Sequence, residues 1–164
     1  MRPLRAHVAI AISVALTLAL PTLSLADTAS AKVGEAVYRD NCALCHQTDA
    51  QGLTGQFPRL AGRIGTIAAT PPGREYLLEV AFNGMAGRIT VDDTPIQGVM
   101  PSFRTLSDEQ IAAVLSYLAG IPSGVSKPVR FRATDAAALR QQPQIAPTAM
   151  RERRDELHRK GVVP

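Results

Sequence analysis

Cys42, Ala43, Leu44, Cys45 and His46 form the string C-x-x-C-H, and Cys42 and Cys45 are the only two cysteines of the 164-residue chain. Two thiols three positions apart can each add across one of the two vinyl groups on a porphyrin edge. The imidazole next in line is then brought beneath the iron, so the string reads as an attachment site for one haem c, with His46 as proximal ligand. Other chemistry is less well served by these groups. A zinc site needs four ligands with room to surround the metal, and only Cys42, Cys45, His46 and His158 are on hand outside the N-terminal segment. A redox disulfide of the C-x-x-C kind goes with a βαβ pattern, of which the sequence carries no sign.

Haem held by covalent bonds suits a compartment where lost cofactor is hard to recover, and the N-terminus reads accordingly. Arg2 and Arg5 precede an apolar run from Val8 to Leu20, and Ser24, Leu25 and Ala26 make a small-x-small cleavage site. Residues 1–26 are expected to be a signal peptide cleaved after about Ala26. The alternative is an uncleaved anchor, although the apolar run is shorter than the roughly 20 residues of a spanning helix; no later segment is long and apolar enough, so no stable membrane insertion is expected of the cleaved chain.

The chain beyond Ala26 amounts to one domain, with few aromatics and no Trp, so a flat apolar cofactor is expected to supply much of the core. Charge divides it. Asp27 to Ile121 carry 7 Lys and Arg against 10 Asp and Glu, whereas Pro122 to Pro164 carry 9 against 4. The formal +4 is therefore a property of leader and tail. Nucleic acid is not an expected partner, because basic residues are not interleaved with aromatics that could read bases.

The elements that must position the motif read as helices. Val33 to Cys42 runs straight into it. A second helix is expected over Arg74 to Asn83, with Leu77, Val80 and Ala81 at helical spacing and Pro71, Pro72 and Gly73 barring an earlier start. The clearest begins at Ser107, whose hydroxyl can cap while Gln110 completes a capping box, and it buries Ile111, Val114, Leu115 and Leu118 on one stripe. No strand run is evident, and Gly84 to Arg104 reads as loop.

Residues 32–121 resemble a class I, monohaem c-type cytochrome: the haem motif comes early, a Met-Pro pair stands in the second half, and a last helix closes the stretch. The resemblance implies a mostly α-helical fold wrapped around one covalently bound haem, with 27–121 as the haem domain and 122–164 as a basic C-terminal extension. It implies that Gly34 and Tyr38 pack against Val114 and Tyr117 of the last helix. It also implies that the carbonyl of Pro58, twelve residues after His46, accepts the imidazole Nδ1 hydrogen.

The sixth ligand can be found by elimination among few residues. His7 leaves with the leader, and His158 lies far off in the tail. Of Met85, Met100 and Met150, Met100 precedes Pro101, which holds the residue before it extended so that a thioether can reach an iron. Met100 is the expected ligand; Met85, or an open or tail-supplied position, remains an alternative, and Met85 otherwise packs on the haem edge. Arg59, Arg63 and Arg88 are candidates to neutralise propionates. Glu35, Asp40, Asp92, Asp93 and Glu109 read as solvated surface.

His/Met ligation favours electron transfer, because thioether sulfur stabilises the ferrous state, and no serine, base and acid set suggests catalysis. The stretch from Asn83 to Val91 and on to Pro101 is similar to cytochrome subunits of bacterial periplasmic dehydrogenases acting on sulfite, alcohols or aldehydes. That resemblance implies a periplasmic carrier, with a dehydrogenase subunit as donor and a cytochrome or terminal oxidase as acceptor. The contrasting reading is a haem enzyme or gas sensor with a labile sixth ligand. In the tail, helices are expected over Thr134 to Gln142 and Thr148 to Lys160, the tail either wrapping over the haem domain or serving as a docking arm for a partner subunit.

Overall fold

The computed structural model describes residues 25–122 and 129–164, so most of the expected leader lies outside the described residues. Among the described residues, seven helices and one hairpin are arranged in the order α1 (Leu25–Asn41), α2 (Ala43–His46), α3 (Arg63–Ala68), α4 (Pro71–Asn83), β1 (Met85–Val91), β2 (Thr94–Met100), α5 (Asp108–Gly120), α6 (Ala133–Arg140) and α7 (Pro147–Arg159). The mostly helical expectation holds.

Helix α5 forms where its sequence signals it. Ser107 Oγ accepts from Gln110 N at 3.2 Å and Gln110 Oε1 accepts from Ser107 N at 2.9 Å, a reciprocal cap for two donors that have no partner within the helix. Its stripe of Ile111, Val114, Leu115 and Leu118 is buried. Against it lies α1, and Gly34 explains how closely: a Cβ there would sit 2.3 Å from the Ala113 carbonyl oxygen and 2.8 Å from Tyr117 Cβ. Only a residue without a side chain permits that approach. One turn on, the Tyr38 and Tyr117 rings meet at 5.7 Å between centroids.

Two expectations fail here. Helix α4 starts three residues early, at Pro71, because Thr70 is extended and its hydroxyl accepts from Gly73 N at 3.1 Å. Prolines in the first helical positions lose nothing there, since those N–H groups have no intrahelical acceptor. The second failure is larger: the stretch read as loop holds an antiparallel hairpin in the register Met85↔Met100 through Val91↔Thr94. Its two-residue turn is Asp92 and Asp93, both left-handed at φ 50° and 58°. Aspartate tolerates that region, but the pair lacks the glycine that usually marks such a turn.

The tail wraps. Met150, Leu157 and Val163 are buried with α3, α4 and α5 in one core. Arg140 of α6 donates to the Arg104 and Leu106 carbonyls at 2.6 Å each, pairs with Asp108 at 2.7 Å and lies over the Phe82 ring. Ile145 N donates to Asn83 Oδ1 at 3.0 Å. Helix α7 covers β1: Thr90 O, whose pair with Pro95 is a non-hydrogen-bonded one in the hairpin, faces outward and accepts from Arg154 Nη2 at 2.6 Å. Along α7, Arg151 pairs with Asp155 and Lys160 with Glu156.

Candidate functional site

A deep cleft runs between α1–α2, α3, α4, α5 and the hairpin, holding about 1450 Å³ of empty space counted out to its mouth. Cys42, Cys45 and His46 line one part of it, Met85 and Met100 another, and Ile64, Leu77 and Leu118 are among the side chains between. The sequence thus brings together in space what it separates by more than fifty residues.

His46 ends a four-residue helix tied to α1 through Cys42, whose N–H donates to the Tyr38 carbonyl at 2.8 Å while its own carbonyl accepts from Cys45 N and His46 N. Its ring is buried, 7% exposed, with Nδ1 2.9 Å from the Pro58 carbonyl oxygen. Burial pushes its pKa down and the Pro58 bond pulls it up, with burial the larger effect. An imidazole held neutral, with Nδ1 donating to a carbonyl, has the lone pair of Nε2 left for a metal. Glycine at position 52 makes the Pro58 contact feasible. It has φ +69°, and a Cβ would stand 2.4 Å from the Phe57 oxygen and 2.7 Å from that of Pro58.

The turn after His46 is unusual. Gln47 stands at φ 63°, ψ 161°, a region few residues other than glycine occupy. Tyr38 Oη holds it there, donating to the Gln47 carbonyl at 2.5 Å, with the His46 carbonyl at 3.3 Å. Burial and the neighbouring Cys42 push the Tyr38 hydroxyl up to about 12, so it remains a donor throughout the neutral range. Burial and Cys45 together push the Cys42 thiol up to about 11. That disfavours the thiolate, the form that exchanges disulfides.

The hairpin supplies the other wall. Residues alternate across a strand, and the face made by the pairs Met85–Met100, Gly87–Gly98 and Ile89–Ile96 lines the cleft. Met85 and Met100 are thus direct cross-strand neighbours. Met85 is 9% exposed and Met100 is partly buried. His158 is not among the lining residues; its Nδ1 is 2.8 Å from the Val163 carbonyl oxygen.

Of the arginines singled out, Arg59 and Arg63 reach the cleft and Arg88 does not. Asp92, read as solvated surface, instead takes Arg59 at 2.9 Å and Arg63 at 3.4 Å, and the hydrogen bond from Arg59 holds its carboxyl below the usual range. Three contributors escaped the sequence reading: the Tyr38 hydroxyl, Arg154 and Val163. The last two belong to the tail and line the cleft. A hydroxyl on a residue otherwise recognisable as packing was the sole signal for the first, and nothing local marks the others.

Taken together, the donors fit a haem. Two thiols, one buried imidazole and two thioethers open on an apolar slot, and no group of three or more His, Cys, Asp or Glu among the described residues offers a metal a competing cage. No helix among the described residues is long and apolar enough to cross a membrane.

Comparison with known proteins agrees. The family model described as cytochrome C oxidase, cbb3-type, subunit III, matches residues 29–118. A cytochrome c-552 of Thermus thermophilus is 45% identical over 97 residues, covering 59% of this chain and 66% of that protein. The cytochrome c subunit of a quinone alcohol dehydrogenase from Gluconobacter oxydans is 35% identical over 86 residues, 52% of this chain and 17% of that one. The cytochrome c subunit of gluconate 2-dehydrogenase from Pantoea cypripedii is 31% identical over 116 residues, 70% of this chain and 25% of that one. The chain thus spans just under two thirds of the cytochrome c-552 and a quarter or less of the two dehydrogenase subunits.

Proposed function

This chain belongs to the cytochrome c family whose model matches residues 29–118, and from that membership we propose that it is a one-electron carrier with a single haem c bonded to Cys42 and Cys45. In this reading His46 and Met100 would hold its iron. The observation that carries it is the convergence of both cysteines, His46 and Met100 on one apolar cleft, with Nδ1 of His46 already engaged by Pro58.

When bound, the haem supplies a reversible one-electron couple. The chain's part is to hold its surroundings still, so that little reorganises when the electron arrives or leaves. Pro58 fixes the plane of the His46 ring, and Tyr38 fixes the turn beyond it. The hairpin presents Met100 from a paired strand rather than a free loop. Thioether ligation favours the reduced state and raises the potential. The apolar lining keeps water and substrates from the iron, which suits a carrier better than an enzyme.

The carrier works in the periplasm after export, accepting electrons from a dehydrogenase and passing them to a cytochrome or terminal oxidase. Support for the donor class comes from the two relatives that are cytochrome c subunits of dehydrogenases. Carbon monoxide tests the closed site. Ferrous protein is expected to bind it slowly and incompletely, and rapid, complete binding would favour a gas-binding or catalytic haem instead. Stopped-flow reduction by purified quinone dehydrogenase tests the donor, with fast saturable transfer expected.

A further inference from the structure

Met100 stands on a strand with little of its own to rest on. Among the described residues the sheet has two strands, so β2 has β1 as its one strand neighbour. Gln97, Gly98 and Val99, just before Met100, are exposed. Beyond Met100 the chain is fixed to α4, with Ser102 Oγ donating to the Phe82 carbonyl at 2.5 Å and Phe103 N to that of Ala81 at 2.9 Å. Toward the turn, β2 depends on its ladder to β1 and on the arginine pairs of Asp92. A hairpin alone is marginally stable in water and gains from a helix packed on it.

Helix α7 is that helix, and it grips β1 at two places. Arg154, whose side chain is 5% exposed, donates to Thr90 O near the turn. The stem of Arg151 lies on Gly87, where a Cβ would stand 2.7 Å from Arg151 Cδ, and Gly87 pairs with Gly98, two residues before Met100. On its other flank α7 is tied to α4, Arg153 Nε standing 3.4 Å from the buried carboxylate of Glu79. Helix α4 runs into β1 through Gly84, so α7 spans the corner from which Met85 and Met100 project. It is anchored for this, because Met150 and Leu157 on its inner face are buried in the core.

We propose that α7 is a strap that positions Met100: Arg154 and Arg151 hold β1 against the tail, and β1 holds β2 where the Met100 thioether stays on the iron. The inference rests on the ligand reading above. A thioether is a weak, neutral ligand, so its retention depends on the groups behind it. Arg154 and Arg151 are positioning residues here, acting on Met100 through the ladder. Loosening the strap leaves Cys42, Cys45 and His46 untouched and makes the sixth position of the iron exchangeable.

The test mixes ferric full-length holoprotein with imidazole, which takes the sixth position once the thioether has left it. At saturating imidazole, the rate at which the far-red band of sulfur-ligated iron disappears is the rate at which Met100 lets go. In R154Q that rate is expected to rise about tenfold or more, the loss of one hydrogen bond from a charged donor. R154K recovers part of the difference, and R151A raises the rate with the buried Arg154 still in place. S116A loosens the tail at its start, where Phe131 N donates to Ser116 Oγ at 2.8 Å, and leaves the rate at the wild-type value. A wild-type rate in R154Q, or an equal rise in S116A, would overturn the proposal and leave the carrier reading intact. Absence of covalent haem or of the far-red band from the wild type would overturn the reading itself. Should R154Q fail to fold, R151A against S116A supplies the same comparison, and a wild-type rate in R151A overturns the proposal.

Discussion

At the scale of single residues, the site depends on groups that do little alone. Tyr38 is the plainest case: its ring packs on Tyr117 while its hydroxyl pins a backbone conformation that Gln47 would not adopt freely. Tyr38→Phe keeps the packing and removes the bond. It is expected to cost about 0.5–1.5 kcal/mol of stability in chemical denaturation and to broaden the His46 ring resonances in the holoprotein, whereas a purely packing role would leave both unchanged. Gly34→Ala acts through space alone. A methyl 2.3 Å from the Ala113 oxygen forces α1 off α5, and a loss of about 1–3 kcal/mol is expected in the same measurement. At this scale much was legible from the sequence, because cysteines, histidines and methionines are few and their chemistry is narrow. The Tyr38 hydroxyl was not, since its acceptor is a main-chain carbonyl that no side-chain pattern reveals.

At the scale of elements, helices with caps and stripes could be read and the hairpin could not. Ser107 and Gln110 announce α5 by themselves, and Ser107→Ala is expected to lower stability by about 1 kcal/mol in denaturant unfolding. The hairpin is quieter. Its strands alternate correctly, yet Gly87, Pro95 and Gly98 weaken the strand signal and Asp92–Asp93 is a rare turn pair. What secures the turn is long-range: Arg59 and Arg63 hold Asp92 from the far side of the chain. Because Asp92 has a pKa below its ordinary value in the fold, its contribution is present above the ordinary carboxylate range and is lost as pH falls through the depressed value. The side chain is 49% exposed, so the effect is small. Asp92→Asn is expected to destabilise by less than about 1 kcal/mol at neutral pH, with wild type and variant converging in acid, as urea titrations at both pH values would register.

At the scale of the whole molecule, the charge split in the sequence becomes a division of labour in the fold. The basic tail lies on the mildly acidic haem region, buries Met150, Leu157 and Val163 in the common core and brings Arg154 to the cleft. Its helices could be anticipated from the sequence, but their destination could not. Where a segment packs is decided by surfaces that exist only once the rest has folded. The central claim concerns the iron, which His46 and Met100 are held to close on both sides, and absorption spectroscopy of ferric holoprotein tests it most directly. Wild type and Met85→Ala are expected to keep the weak far-red band of iron bonded to thioether sulfur, while Met100→Ala loses it and binds carbon monoxide readily once reduced. Survival of that band in Met100→Ala, or its loss in Met85→Ala, would contradict the assignment.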